Sequence, residues 1–143
     1  MTPDPERAII AALVHYMPDL VVDGRPRIYS QAQDGWAGHD HLIVRATGGG
    51  SSRQLRHWVT CYFEIEAFAS TRGNASLLAR RAGQALAQAA RDNFRYEDGD
   101  RGGYLFRFIE VNAPHIVYDG LSSKHGDTYM FQGTYQINIR PLR

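Results

Sequence analysis

Residues 57–91 read HWVTCYFEIEAFASTRGNASLLARRAGQALAQAAR, and the fold is decided here by a change of period. From His57 to Ala69 the chain alternates. Val59, Cys61, Phe63, Ile65 and Ala67 share one face of an extended strand, and Trp58, Thr60, Tyr62, Glu64, Glu66 and Phe68 share the other. The segment Ser70 to Asn74 (STRGN) breaks the alternation. From Ala75 to Arg91 the apolar residues then recur at helical spacing, with Leu78, Ala82, Ala85, Leu86 and Ala89 in one narrow stripe. An alanine-rich stripe approaches its neighbour closely and buries little area per residue, so this helix is expected to cover a sheet rather than to build a bundle. Its solvent face carries Arg72, Arg80, Arg81 and Arg91 against Asp92.

Working outward, Asp4 to Tyr16 predicts a first helix, with Pro5 following an aspartate cap and Pro18 beyond its end. Leu20 to Gln31 suggests two short extended pieces around an Asp23-Gly24 turn, and the glycine-rich AQDGWAGHDH that follows reads as a loop anchored by Trp36. His41 to Thr47 predicts a strand that forms an antiparallel hairpin with the strand ending at Ala69, connected through Gly48, Gly49 and Gly50. After the main helix, DNFRYEDGDRGG reads as a surface excursion. Tyr104 to Ala113 predicts a strand ended by Pro114, which lacks a ladder donor. Any continuation through His115 to Tyr118 would have to be a kinked or edge piece. Tyr129 to Ile139 alternates cleanly, with Tyr129, Phe131, Gly133, Tyr135, Ile137 and Ile139 on one face and Met130, Gln132, Thr134, Gln136 and Asn138 on the other. The expected fold is one α+β domain over residues 1–143, a twisted, mainly antiparallel sheet of about four or five strands packed by two helices.

Composition narrows the function classes. The 143 residues carry 16 Lys+Arg against 15 Asp+Glu, a formal charge of +1 that provides no global attraction to nucleic acid or to an acidic membrane. The single cysteine, Cys61, excludes an intrachain disulfide and sits on the apolar strand face as a small buried group. No signal peptide or membrane span is expected, and cytoplasmic folding fits the cysteine usage.

No catalytic, cofactor or metal site follows from the spacings. His57 and Cys61 stand about 13 Å apart along an ideal strand, too far for a nucleophile–base pair. His39 and His41 lack a convergent third ligand. The triple glycine lacks the Lys-Ser/Thr of a phosphate loop, and Glu64 with Glu66 lacks a positioned partner. The face bearing Trp58, Tyr62, Glu64, Glu66 and Phe68 has instead the mixed aromatic and charged composition of a protein contact, with burial under another part of the same chain as the competing reading. Gln132 and Gln136 on the terminal strand repeat this composition more softly, and Arg80 and Arg81 are candidates for the same subunit or tube interface.

In the order of its pieces the chain resembles the tail-terminator, or tail-completion, proteins of long-tailed bacteriophages such as lambda and the actinophages. The resemblance lies in the early helix, LIVRATGGGSS at Leu42 to Ser52, and FEIEAFAS at Phe63 to Ser70 leading into ASLLARRAGQALAQAAR. The Pro114 junction and GTYQINIR at Gly133 to Arg140 complete it. It departs from the family's proline-rich approach to the second strand by using WAGHDHLIV at Trp36 to Val44.

The resemblance implies a non-enzymatic structural virion protein. It would form a homo-oligomeric ring, commonly a hexamer, on the head-proximal end of the tail tube, stop tube polymerisation and support head–tail joining. Its partners would be the tail tube protein and head–tail connector proteins, with DNA passing through the lumen without specific binding, no membrane and no cofactor. It would reside in the virion, and in the host cytoplasm during assembly. Gly48, Gly49, Gly50, Ser51 and Ser52 match a variable, projecting loop. The competing readings are another connector or head-completion protein, a small ligand-binding enzyme built on His39, His41, Glu64 or Glu66, and a nucleic-acid module built on the helix arginines.

Overall fold

The computed structural model describes residues 4–30, 40–48, 58–99, 101–119 and 128–142. The first helix, α1, spans Pro5–Tyr16. The Asp4 carboxylate accepts the Arg7 N–H at 3.2 Å, and the Met17 N–H closes the last turn on the Leu13 carbonyl at 2.8 Å. A 3-10 turn, Pro18–Leu20, leads into a short ribbon of β1 (Val21–Val22) and β2 (Arg25–Pro26). Asp23 and Gly24 both take positive φ (52° and 75°), as a two-residue hairpin requires, so the expected turn lies where the Asp-Gly pair predicts it.

The long elements follow in the expected order. After the short β3 (Ile28–Tyr29) come β4 (His41–Gly48), β5 (Val59–Ala69), α2 (Arg72–Arg91), the short β6 (Arg95–Tyr96), β7 (Gly103–Asp119) and β8 (Tyr129–Pro141). The α2 helix begins a turn before Ala75. Thr71 caps it by accepting the Asn74 N–H at 3.2 Å, so STRGN is a cap and first turn rather than a break. Its end is a Schellman motif. Asn93 takes φ 50°, its N–H reaches the Ala90 carbonyl, and the Phe94 N–H reaches that of Ala89. The Asn93 side chain also donates to the Leu105 carbonyl at 3.2 Å, which fixes the helix end to β7.

The sheet has six strands in the order β3-β4-β5-β8-β7-β6, all antiparallel neighbours except the parallel β3–β4 pair. The expectation of four or five strands falls short because β3 and β6 are two residues each, too short for any period to show. Along the centre, β5 and β8 pair without a slip from Val59↔Ile139 to Ala69↔Tyr129. One face of this pair carries Cys61, Phe63, Ile65, Ala67, Tyr135, Ile137 and Ile139, all buried with the apolar residues of α1 and α2. All five residues of the predicted α2 stripe are buried there, joined by Ala75 and Ala79. The small residues matter at Gly133, where a Cβ would collide with the Tyr135 hydroxyl and ring because that ring folds back over the glycine.

Pro114 does not end β7, which runs on to Asp119. The proline lies where the ladder to β8 is already irregular, between Asn112 and His115, so its missing donor breaks no regular pairing. A second irregularity has larger consequences. Arg107 takes φ 54° between Phe106, opposite Asn138, and Phe108, opposite Ile137. Two residues apart, the phenylalanines would share a face in a regular strand. The bulge instead sends Phe108 into the helix-side core, stacked on Tyr135 at 5.3 Å, and leaves Phe106 on the opposite face.

Two predictions follow from this packing. Replacing Arg107 by glycine is expected to leave stability within about 1 kcal/mol of wild type, whereas Arg107→Val should cost about 2 kcal/mol or more, because a β-branched residue resists a left-handed backbone. Urea denaturation checks it, and equal stability of the two variants would contradict the bulge. Cys61 is 2 % exposed, and burial, with smaller contributions from Glu6 and Asp4, pushes its thiol up to about 12. Cys61→Ala should cost about 1–2 kcal/mol and Cys61→Asp about 3–5 kcal/mol. Thiol reagents at neutral pH should label the native protein slowly, and rapid labelling would overturn this placement.

Candidate functional site

The face of the sheet opposite the helices is organised in cross-strand rows. Ile43, Glu66, Gln132 and His115 stand in one row across β4, β5, β8 and β7; Arg45, Glu64, Thr134 and Asn112 stand in the next. Tyr62, Gln136 and Ile109 follow, and then Thr60, Asn138 and Phe106. The expected interface residues Tyr62, Glu64, Glu66, Gln132 and Gln136 are therefore neighbours on one surface, as strand parity requires.

Their environments differ. Arg45 reaches diagonally to Glu66, Nε to Oε1 at 3.1 Å, which occupies one side of that carboxylate. Phe68 is buried. It forms a small cluster with Ile43 and Met130, and the His41 ring stacks on it at 4.6 Å with planes 4° apart. Tyr62 remains open at 41 %. Phe68 thus packs within the chain, and Tyr62 is the large aromatic left exposed among the described residues. The Thr60 hydroxyl donates to Asn138 Oδ1 at 3.0 Å, so the buried amide in the last of these rows is held.

Trp58 belongs to a cluster that periodicity alone misses. Its ring meets Phe106 edge-on at 6.4 Å, and the Arg140 guanidinium lies over Phe106 at 5.3 Å and Tyr104 at 5.9 Å. The Tyr104-x-Phe106 spacing was a usable signal, but the face of Phe106 depends on the Arg107 bulge. Beyond the cluster, β7 exposes Ile109, Val111 and Val117, residues that the sequence reading assigned to no surface.

Arg80 and Arg81 do not act as a pair. Arg81 turns toward the 3-10 turn and binds Asp19, Nη2 to Oδ1 at 2.6 Å. Arg80 lies on the other flank of α2, where it bonds the Ser76 carbonyl at 3.4 Å and lines a cleft of about 370 Å³ with Gly83, Phe108, Glu110 and Tyr135. Burial and the charge of Glu110 push the Tyr135 phenol up to about 12, so it stays protonated beside this cleft at neutral pH.

Other candidates separate as well. Cys61 lies beneath the helices, while His57 and His39 are outside the described residues, as is Trp36. Gly48 ends β4 opposite Tyr62, and the rest of the expected projecting loop, Gly49, Gly50, Ser51 and Ser52, lies outside the described residues. Among the described residues no three His, Cys, Asp or Glu side chains converge as a metal site, and no helix is long and apolar enough to cross a membrane. Compared with known proteins, the chain matches no family model and no curated relative.

The Asp19–Arg81 contact carries a pH signature. The hydrogen bond from Arg81 holds the Asp19 carboxyl below its usual range, with burial opposing it in part. A depressed folded-state pKa contributes stability above the unfolded value of about 4 and loses it as pH falls through the folded value. Because the pair is largely exposed, Arg81→Gln is expected to lower stability by only about 0.5 kcal/mol at neutral pH, and by nothing once Asp19 is protonated in both states. Denaturation midpoints at neutral and strongly acidic pH measure this. A cost that persists in acid would assign the effect to packing of the arginine stem.

Proposed function

We propose that the protein is the structural subunit of a homo-oligomeric ring, hexameric on the family resemblance, that caps the head-proximal end of a phage tail tube. The ring stops tube polymerisation and supports joining of the tail to the head through the connector proteins. The observation that carries this reading is the face of the sheet opposite the helices, where Tyr62 stands open among the half-buried Glu64, Gln132, Thr134 and Gln136. An aromatic anchor within a polar, ordered surface has the chemistry of a protein contact, and it uses no reacting group. The order of long elements supports the reading further, because it matches the order on which the resemblance rests.

Negative-stain microscopy of the protein alone and mixed with purified tail tubes tests the proposal. Rings, or protein bound at one tube end, are expected. If neither sample contains them, the terminator reading is overturned, and binding to connector-bearing capsids but not to tubes would assign the chain to the head side of the joint. At the level of residues, Tyr62→Ala should change fold stability by no more than about 0.5 kcal/mol, since the ring is exposed. It should weaken ring assembly or end binding by about tenfold or more. Undiminished assembly by this variant would remove the Tyr62 face from the contact.

A further inference from the structure

The cleft between α2 and β7 ends on a polar atom that the fold leaves without a partner. Tyr135 is 1 % exposed, yet its hydroxyl is not sealed, because the side chain lines this cleft. Among the described residues the hydroxyl makes no hydrogen bond, and it is burial and the charge of Glu110 that raise the phenol. A hydroxyl buried without a protein partner carries a desolvation cost. A core that needed only an aromatic ring at this position would be served better by phenylalanine.

Gly83 keeps the approach to that hydroxyl open. It lies in the interior of α2, where glycine is the least favourable residue after proline. Packing does not demand it: a Cβ on Gly83 would stand 3.5 Å from the Tyr135 hydroxyl and 3.7 Å from the ring, van der Waals distances at which alanine fits. An alanine methyl would roof the hydroxyl, and glycine leaves it uncovered. Gly133 differs, since a side chain there would collide with the same ring. Gly133 therefore serves the packing, and Gly83 the opening.

Two opposite charges line the opening without meeting. Arg80 lies one turn before Gly83, and its Nε bonds the Ser76 carbonyl at 3.4 Å, which leaves the terminal nitrogens as donors. Glu110 stands opposite Tyr135 in the β7–β8 ladder. Both side chains are exposed, and among the described residues no ion pair joins them to each other or to a third group. The Glu110 carboxylate and the phenolic oxygen can accept from a cationic donor, and the Arg80 guanidinium can donate to an anion. Phe108, stacked on Tyr135, adds an apolar wall.

We propose that this cleft binds a small zwitterion of the amino-acid type, its ammonium held by Glu110 and the Tyr135 hydroxyl and its carboxylate by Arg80. The volume of about 370 Å³ lies at the small end of the range for organic ligands and admits a free amino acid.

The test is a titration of the full-length protein with each of the common L-amino acids, followed through the nuclear magnetic resonance signals of isotope-labelled tyrosine rings. Tyr135→Phe identifies the Tyr135 signals by their loss. At least one amino acid is expected to shift them saturably, and its N-acetyl and amide derivatives, each lacking one charge, should bind about tenfold more weakly or worse. Arg80→Gln should weaken the amino acid but not its amide, and Glu110→Gln should weaken the amino acid but not its N-acetyl derivative. Gly83→Ala should keep or raise the melting temperature while binding falls about tenfold or more. No saturable shift by any amino acid up to about 10 mM would overturn the proposal. Derivatives that bind as well as the parent would overturn the zwitterion, and full binding by Gly83→Ala would overturn the role of the opening.

Discussion

The uninterrupted pairing of β5 with β8 is the constraint on which the rest of the molecule depends. A side-chain period of two leaves no freedom once the register from Val59↔Ile139 to Ala69↔Tyr129 is set: a slip of β5 by one residue against β8 would turn its Phe63 and Ile65 to water and its Glu64 inward. The helices enforce the choice, because α2 offers mostly alanine methyl groups and fits only against a surface that supplies the bulk itself. Phe63 and Tyr135 supply it, and Gly133 makes room for the Tyr135 ring to lie flat beneath Gly83. Large groups on the sheet and small ones on the helix are thus two halves of one packing solution.

The hairpin partners on either side are held by different means. On the β4 side the carboxylate of Glu6 satisfies a main-chain donor that the short β3 leaves uncovered, so α1 both covers the sheet and closes its edge. Tyr16 extends the same helix to the far end of α2, donating to Asp92 Oδ2 at 2.6 Å; burial and this acidic partner push the phenol up to about 12. On the β7 side the strand is longer than its partner, 17 residues against 13, and bulges absorb the excess. Bulging lets one strand serve both faces, with Phe108 on the core side and Phe106 on the other.

What the sequence made legible was whatever repeated with a clear period or carried a local cap. The faces of β5 and β8, the α2 stripe, the Asp4 cap and the Asp23-Gly24 turn all follow from interactions within a few residues of one another. The remainder depends on distant partners. The Arg81–Asp19 contact joins residues 62 positions apart, and the faces of Phe106 and Phe108 turn on one backbone angle at an arginine, a residue type that gives no warning of a left-handed conformation. Pro114 misled for a related reason, since its effect on a strand depends on whether a regular ladder bond was present to be lost. Candidate-site residues were legible as a face, because parity alone places Tyr62, Glu64, Glu66, Gln132 and Gln136 together. Which of the aromatics stays open was not, because the cover over Phe68 comes from Ile43, Met130 and His41 on other strands.

That last distinction bears on the proposed role. A subunit that assembles on a finished tube has to remain dispersed before it meets its partner, which limits the apolar area it can display. Here Phe68 is packed within the chain, Trp58 meets Phe106 edge-on, the Arg140 guanidinium lies over Phe106, and most of the remaining face is amide, hydroxyl and carboxylate. Tyr62 satisfies both requirements, since its ring contributes apolar area on contact and its hydroxyl keeps a polar end in water beforehand. Among the described residues the large exposed aliphatics are Leu77 on α2 and Ile109, Val111 and Val117 on β7, where a helical backbone and bulges disfavour strand-by-strand association. The chain therefore separates two properties often combined in one exposed edge: β7 exposes aliphatic side chains while its register shifts and Pro114 disrupt the regular main-chain template on which another strand could pair.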